Sequence, residues 1–138
     1  MMREVFLTSA VVLLSGSHSP LVGQRIASDQ RLSRVEALYR QDRFAEAYDG
    51  AQELVRALPR DPEVFFWLGV TAQRNGLLGQ ALSAYQQALS LKPDYGQALS
   101  NLGDLYQMRE QWTRAIDAYQ QAIQKDAGLA APHAGLGD

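Results

Sequence analysis

The chain has 138 residues, a formal net charge of -2, and 46% hydrophobic and 20% charged residues, enough for one domain with a modest core. The absence of cysteine excludes disulfides, thiolate zinc sites, a cysteine nucleophile and a lipid-modified cysteine. No basic excess points to nucleic acid, so none is expected as a partner.

The N-terminal stretch MMREVFLTSAVVLLSGS has Arg3, a mostly apolar run from Val5 to Leu14, then small residues. This is the layout of a secretory signal peptide, expected over 1–23 with cleavage after Ser17 or Gly23. Glu4 departs from the usual positive start, and the alternative is an uncleaved anchor or an apolar arm. The run is short for a bilayer, which takes about 20 residues. An exported chain, periplasmic or secreted, with no stable membrane span after processing is therefore expected.

Beyond residue 27 the sequence repeats. AYQQA occurs at 84–88 and again 34 residues later at 118–122. At the same step Leu68-Gly69 recurs as Leu102-Gly103, Ala81-Leu82 as Ala115-Ile116, and Leu136-Gly137-Asp138 follows Leu102-Gly103-Asp104. One fixed step shared by many positions means a solenoid of stacked units.

Each unit reads as two helices. Asp61-Pro62-Glu63 is a helix start, with Asp61 as N-cap and Pro62 in the first turn. Asn75-Gly76 supplies a turn, and the next helix carries Ala81, Leu82, Tyr85, Ala88 and Leu89 at helical spacing. Lys92-Pro93-Asp94 ends it, leaving Asp94 to cap the following helix, and Glu110-Gln111 makes the next turn. Gly69 and Gly103, facing Ala81 and Ala115, allow close helix approach, while Tyr85 and Tyr119 fill space where units stack. Asp42, Glu46, Asp49 and Glu53 read as the solvated acidic face of one helix.

A 34-residue helix–turn–helix unit with Leu-Gly early, a mid-unit Ala, then Ala-Tyr-x-x-Ala-Leu and a late Pro resembles the tetratricopeptide repeat, or TPR. The signal-like start makes the resemblance closest to exported bacterial members. It covers a degenerate first repeat at 28–61, a second at 62–95, a third at 96–129 and the start of a truncated fourth at 130–138. Val35 stands where the first repeat should have glycine, and Ala127 where the third should have proline. The resemblance implies an all-α, right-handed α-solenoid of stacked antiparallel helix pairs, with the first helix of each pair lining a concave groove.

The stretch EVFFWLGV puts Phe65, Phe66 and Trp67 in a row, and residues about 100° apart cannot share one stripe. Phe65 shares a face with Leu68 and Ala72 and is assigned to the core. Phe66, Trp67, Val70, Gln73 and Arg74 are assigned to the groove. The third repeat contributes Asn101, Asp104, Gln107 and Met108 to it. The matching column of the first repeat reads Asp29, Leu32, Ser33, Glu36, Tyr39 and Arg40, and Gln97 and Ser100 complete that of the third. The alternative for Phe66 and Trp67 is burial between repeats. Both lysines, Lys92 and Lys125, sit at repeat ends, which argues against the lysine-built carboxylate clamp of chaperone-binding TPR domains.

No catalytic constellation is expected. His18 and His133 lie at opposite ends without ligands at metal spacing, and no Gly-x-Ser-x-Gly elbow occurs. No metal or cofactor is therefore expected. The leading expectation is a non-catalytic scaffold for a partner protein or peptide in the bacterial cell envelope. The alternative is the N-terminal arm of a longer enzyme with its catalytic domain beyond residue 138. An uncovered C-terminal end, with Ile116, Tyr119 and Ile123 showing surface, is expected to self-associate unless the polypeptide continues.

Overall fold

The computed structural model describes residues 20–125. The expected signal segment up to Ser19 and the expected fourth repeat lie outside the described residues. The described residues form six helices: α1 Pro20–Arg40, α2 Phe44–Ala57, α3 Pro62–Arg74, α4 Leu78–Leu91, α5 Gly96–Met108 and α6 Trp112–Lys125. The chain divides into two units, Met1–Arg31 and Leu32–Asp138, and the packing that follows lies within the second.

The repeat seen in the sequence is also a repeat of backbone geometry. Asp42, Gly76 and Glu110, one step of 34 apart, all have positive φ, at 61°, 76° and 58°. Each ends a first helix in the same hydrogen-bonded turn. Arg43, Leu77 and Gln111 donate backbone N–H to the carbonyls of Leu38, Ala72 and Tyr106 at 2.9, 2.9 and 2.8 Å. This is the Schellman arrangement, which needs a left-handed residue after the helix. A Cβ at Gly76 would meet nothing within 4 Å, so its reason is the dihedral alone. Asp42 thus sits in a turn and not on the acidic helix face expected for it. Glu46, Asp49 and Glu53 on α2 are exposed as expected.

Helix starts are less uniform. Asp61 Oδ1 accepts from the Glu63 N–H at 3.0 Å with Pro62 opening α3, as the sequence predicts. Asp94 does not cap α5. Tyr95 holds that position without a side-chain bond, because helix α5 begins one residue too late for Asp94 to reach. In the second pair, Asn75 Nδ2 donates to the Phe44 carbonyl at 2.9 Å and ties the turn to the preceding repeat.

From α2 onward successive helices pack on one another, and α3 also meets α5, the first helix of the next repeat. Two apolar clusters result. Leu32, Val35, Leu38, Ala47, Ala51, Leu54 and Val64 bury the first interface. Phe66, Val70, Ala72, Ala81, Tyr85, Ala88, Ala98, Leu102 and Leu105 bury the second.

Within the second and third pairs, glycine and tyrosine interlock. A Cβ on Gly69 would lie 2.6 Å from Tyr85 Cε1, and one on Gly103 would lie 2.6 Å from Tyr119 Cε1. The expectation that the glycines permit close approach holds, but what approaches is the ring of the same repeat. Tyr85 is 0% exposed, wedged into its own pair before it touches the next.

Candidate functional site

The first helices of the three repeats enclose a cleft of about 400 Å³. Glu36 and Tyr39 come from α1, Glu63, Phe66, Trp67 and Val70 from α3, Tyr95 from the residue before α5, and Gln97 and Asn101 from α5.

The floor is a row of rings. Tyr39 meets Trp67 edge-on with centroids 5.6 Å apart, and Trp67 meets Phe66 at 5.7 Å. Phe66 continues to Tyr95 at 5.2 Å. Such edge and offset contacts are the favoured aromatic geometries. Phe66 is 8% exposed, so it is both core and cleft wall. This corrects the assignment of Phe65 as the one core ring: Phe65 and Trp67 are half-buried, and Phe66 is the most enclosed of the three. The reason is tertiary, since Tyr85 of the same repeat and Tyr95 of the next close over Phe66.

Of the other residues assigned to the groove, Val70 and Asn101 line it. Gln73 lies beside it in a polar relay: its Oε1 accepts from the Tyr85 hydroxyl at 2.9 Å, and its amide points to Met108 Sδ at 3.1 Å. Asn101 Nδ2 approaches the same hydroxyl at 3.5 Å. Asp104 and Gln107 flank the Tyr119 hydroxyl, whose single proton serves one of them at a time. Arg74 turns away, its guanidinium 4.6 Å from the Phe44 ring centre and 5.7 Å from that of Tyr39. Leu32, placed in the groove column by spacing, is instead buried in the first cluster.

Tyr95 was not legible as a cleft residue. It precedes α5, where helical periodicity says nothing. Its phenol is pushed up in pKa by burial first, then by the carboxylates of Glu63 and Asp61. The Tyr85 phenol is pushed up by burial, partly offset by its contact with Asn101. Burial also raises Tyr119, with Asp104 adding to the effect.

A family model for the tetratricopeptide repeat matches residues 62–126. Over this stretch the chain is similar to tetratricopeptide repeats. Human protein O-mannosyl-transferase TMTC1 is 30% identical over 95 residues, 65% of this chain and 11% of that protein. The photosystem I assembly protein Ycf3 of a Synechococcus strain is 31% identical over 75 residues, 52% of this chain and 43% of that one. The chain thus spans less than half the length of either relative. Among solved structures, the first TPR of Spaghetti (RPAP3) bound to the HSP90 peptide SRMEEVD superposes with a TM-score of 0.74 at 17% identity, covering 79% of this chain and 86% of that one. The Yersinia enterocolitica type III secretion chaperone SycD, in complex with a peptide of the translocator YopD, superposes at 0.69 with 17% identity, covering 72% of this chain and 76% of that one. At such identities the likeness is one of fold: stacked TPR helix pairs.

Among the described residues, no group of three or more His, Asp or Glu is placed to hold a metal ion. No described helix is long and apolar enough to cross a membrane.

Proposed function

We propose that this chain is a non-catalytic scaffold that holds a peptide segment of a partner protein in the cleft between α1, α3 and α5. The observation that carries the reading is the ring-floored cleft itself, with half-buried Trp67 at its centre. Amphipathic rings offer large contact area at low entropic cost, and such residues dominate the energetics of interfaces. Gln97 and Asn101 on the opposite wall can donate to and accept from an extended backbone. Peptide complexes of similarly folded TPR proteins support the same reading.

A photo-crosslinking amino acid placed at position 67 in cells tests it. Adducts should form there with one partner and not from the exposed position of Gln87 on α4. The same adduct pattern at both positions would refute a specific cleft. Trp67→Ala should abolish the interaction.

The signal-like start supports a setting in the bacterial cell envelope for that partner. N-terminal sequencing of the mature product decides this, and retention of Met1 in a soluble cytoplasmic product ends it. The match to a small part of TMTC1, named as a transferase, keeps a second reading in play: these repeats as the partner-binding arm of a longer enzyme.

A further inference from the structure

We infer that the cleft selects a cationic partner, receiving an arginine or lysine side chain that is flanked by apolar residues of the bound peptide. The inference rests on the peptide-binding reading and narrows it to a ligand chemistry. The charged side chains lining the cleft are Glu36 and Glu63, and both are acidic. The remaining walls are rings, a valine and amides.

The chain already uses this ring row as a platform for cations. Arg74 stands 5.7 Å over Tyr39 at one end, and Lys92 stands 4.6 Å over Tyr95 at the other. Among the described residues no cation stands over Trp67, between those two ends. Indole is the ring with the strongest attraction for a cation, and the attraction grows as water is excluded. The carboxylates add the second half of the site. Glu36 accepts from Arg40 at 3.2 Å, but the Arg40 side chain is 73% exposed. An exposed pair one helical turn apart is weak, so an incoming guanidinium can take that place. Glu63 has an interaction of its own and contributes the sign of its charge to the rim. A peptide ending in carboxylates meets the wrong sign here, whereas a cation between apolar residues meets rings below and carboxylates at the edge.

The test uses the full chain on an array of random-sequence dodecapeptides, followed by titration of the best binders. Intrinsic fluorescence of a Trp112→Phe variant, in which Trp67 is the remaining tryptophan, reports the site. Binders should be enriched in Arg or Lys beside Leu, Ile or Phe, and should perturb Trp67. Replacing the peptide's cation by Gln should weaken binding roughly tenfold. Raised salt should weaken it too, and Glu36→Gln with Glu63→Gln should erase the preference while apolar contacts keep residual binding. Binders that are acidic, indifferent to loss of the cation, or silent at Trp67 would overturn the inference while leaving peptide binding in place. An array without binders would overturn both.

Discussion

The first and second repeats solve the same packing problem with the bulk on opposite sides. In the second, Gly69 on α3 receives the ring of Tyr85 on α4, beside Ala84. One step of 34 earlier the same three positions are Val35, Ala51 and Gly50. Val35 is 2% exposed and Ala51 0%, and a Cβ on Gly50 would lie 3.2 Å from Val35 Cγ2. The large group has moved from the second helix to the first, and the small group has crossed the other way. A seam needs a filled volume and is indifferent to which helix supplies it. The swap has a chemical consequence. Tyr85 carries a hydroxyl through the seam to Gln73 and Asn101, so the second-to-third interface is polar on its groove side. Ala51 carries nothing, and the residues matching Gln73 and Asn101 are Tyr39 and Trp67, which meet as rings. The exchange in the seam thus goes with a second difference, rings at Tyr39 and Trp67 where the next repeat has the polar Gln73 and Asn101. The degenerate glycine of the first repeat is therefore a compensated substitution.

The largest test of this comparison is Tyr85→Ala. Removing a fully buried ring should cost about 3–5 kcal/mol, read from urea midpoints. Adding Gly69→Val and Ala84→Gly transplants the first repeat's seam and should recover part of the loss. A triple variant less stable than Tyr85→Ala alone would break the idea that the two seams are equivalent solutions. Next comes Gly69→Ala, where the added methyl meets the Tyr85 ring at 2.6 Å. It should cost about 1–3 kcal/mol by overpacking. The matching change in the first repeat, Val35→Ala, destabilises by leaving a void instead, so a restoring Ala51→Val should help only there.

Smaller effects belong to the turns. Gly76→Ala forces a side chain into a left-handed residue and should cost about 1–2 kcal/mol, whereas Glu110→Gly should gain up to about 1 kcal/mol. Equal and opposite failure of these two, seen in thermal melts, would detach the turns from the repeat geometry. The last test is alkaline. Tyr85 has a folded pKa above that of the unfolded chain, because burial disfavours phenolate. Its neutral form is held equally in both states at neutral pH. Above about pH 10 the unfolded chain ionises first, so stability falls as pH rises. Tyr85→Phe should flatten that decline, and an unchanged slope would mean other groups carry it.

Much of the fold was written in the 34-residue step, because a solenoid packs each repeat against a copy of itself and so leaves the same residue types at the same spacing. The helix-pair turn at Gly76 and the cap at Asp61 were legible from residue types with one dominant backbone reason. Glu110 was legible as a turn and Asp42 was not, and at both the left-handed backbone is imposed by the repeat, against residue preference. The cleft was legible by column. Phe66, Trp67, Val70 and Asn101 fell on it because first helices face one side.

What periodicity alone determined was which residues share a helical face, since 3.6 residues per turn is a local property of the backbone. What only tertiary structure decided was how far each face is covered. Phe66 became core because Tyr85 and Tyr95, 19 and 29 residues away, close over it. Trp112 and Ile116 on α6, at the positions of half-buried Leu78 and Leu82 on α4, remain 55% and 47% exposed. Identical spacing gives identical direction, but burial is set by the element that arrives on the other side, and no single repeat contains that information.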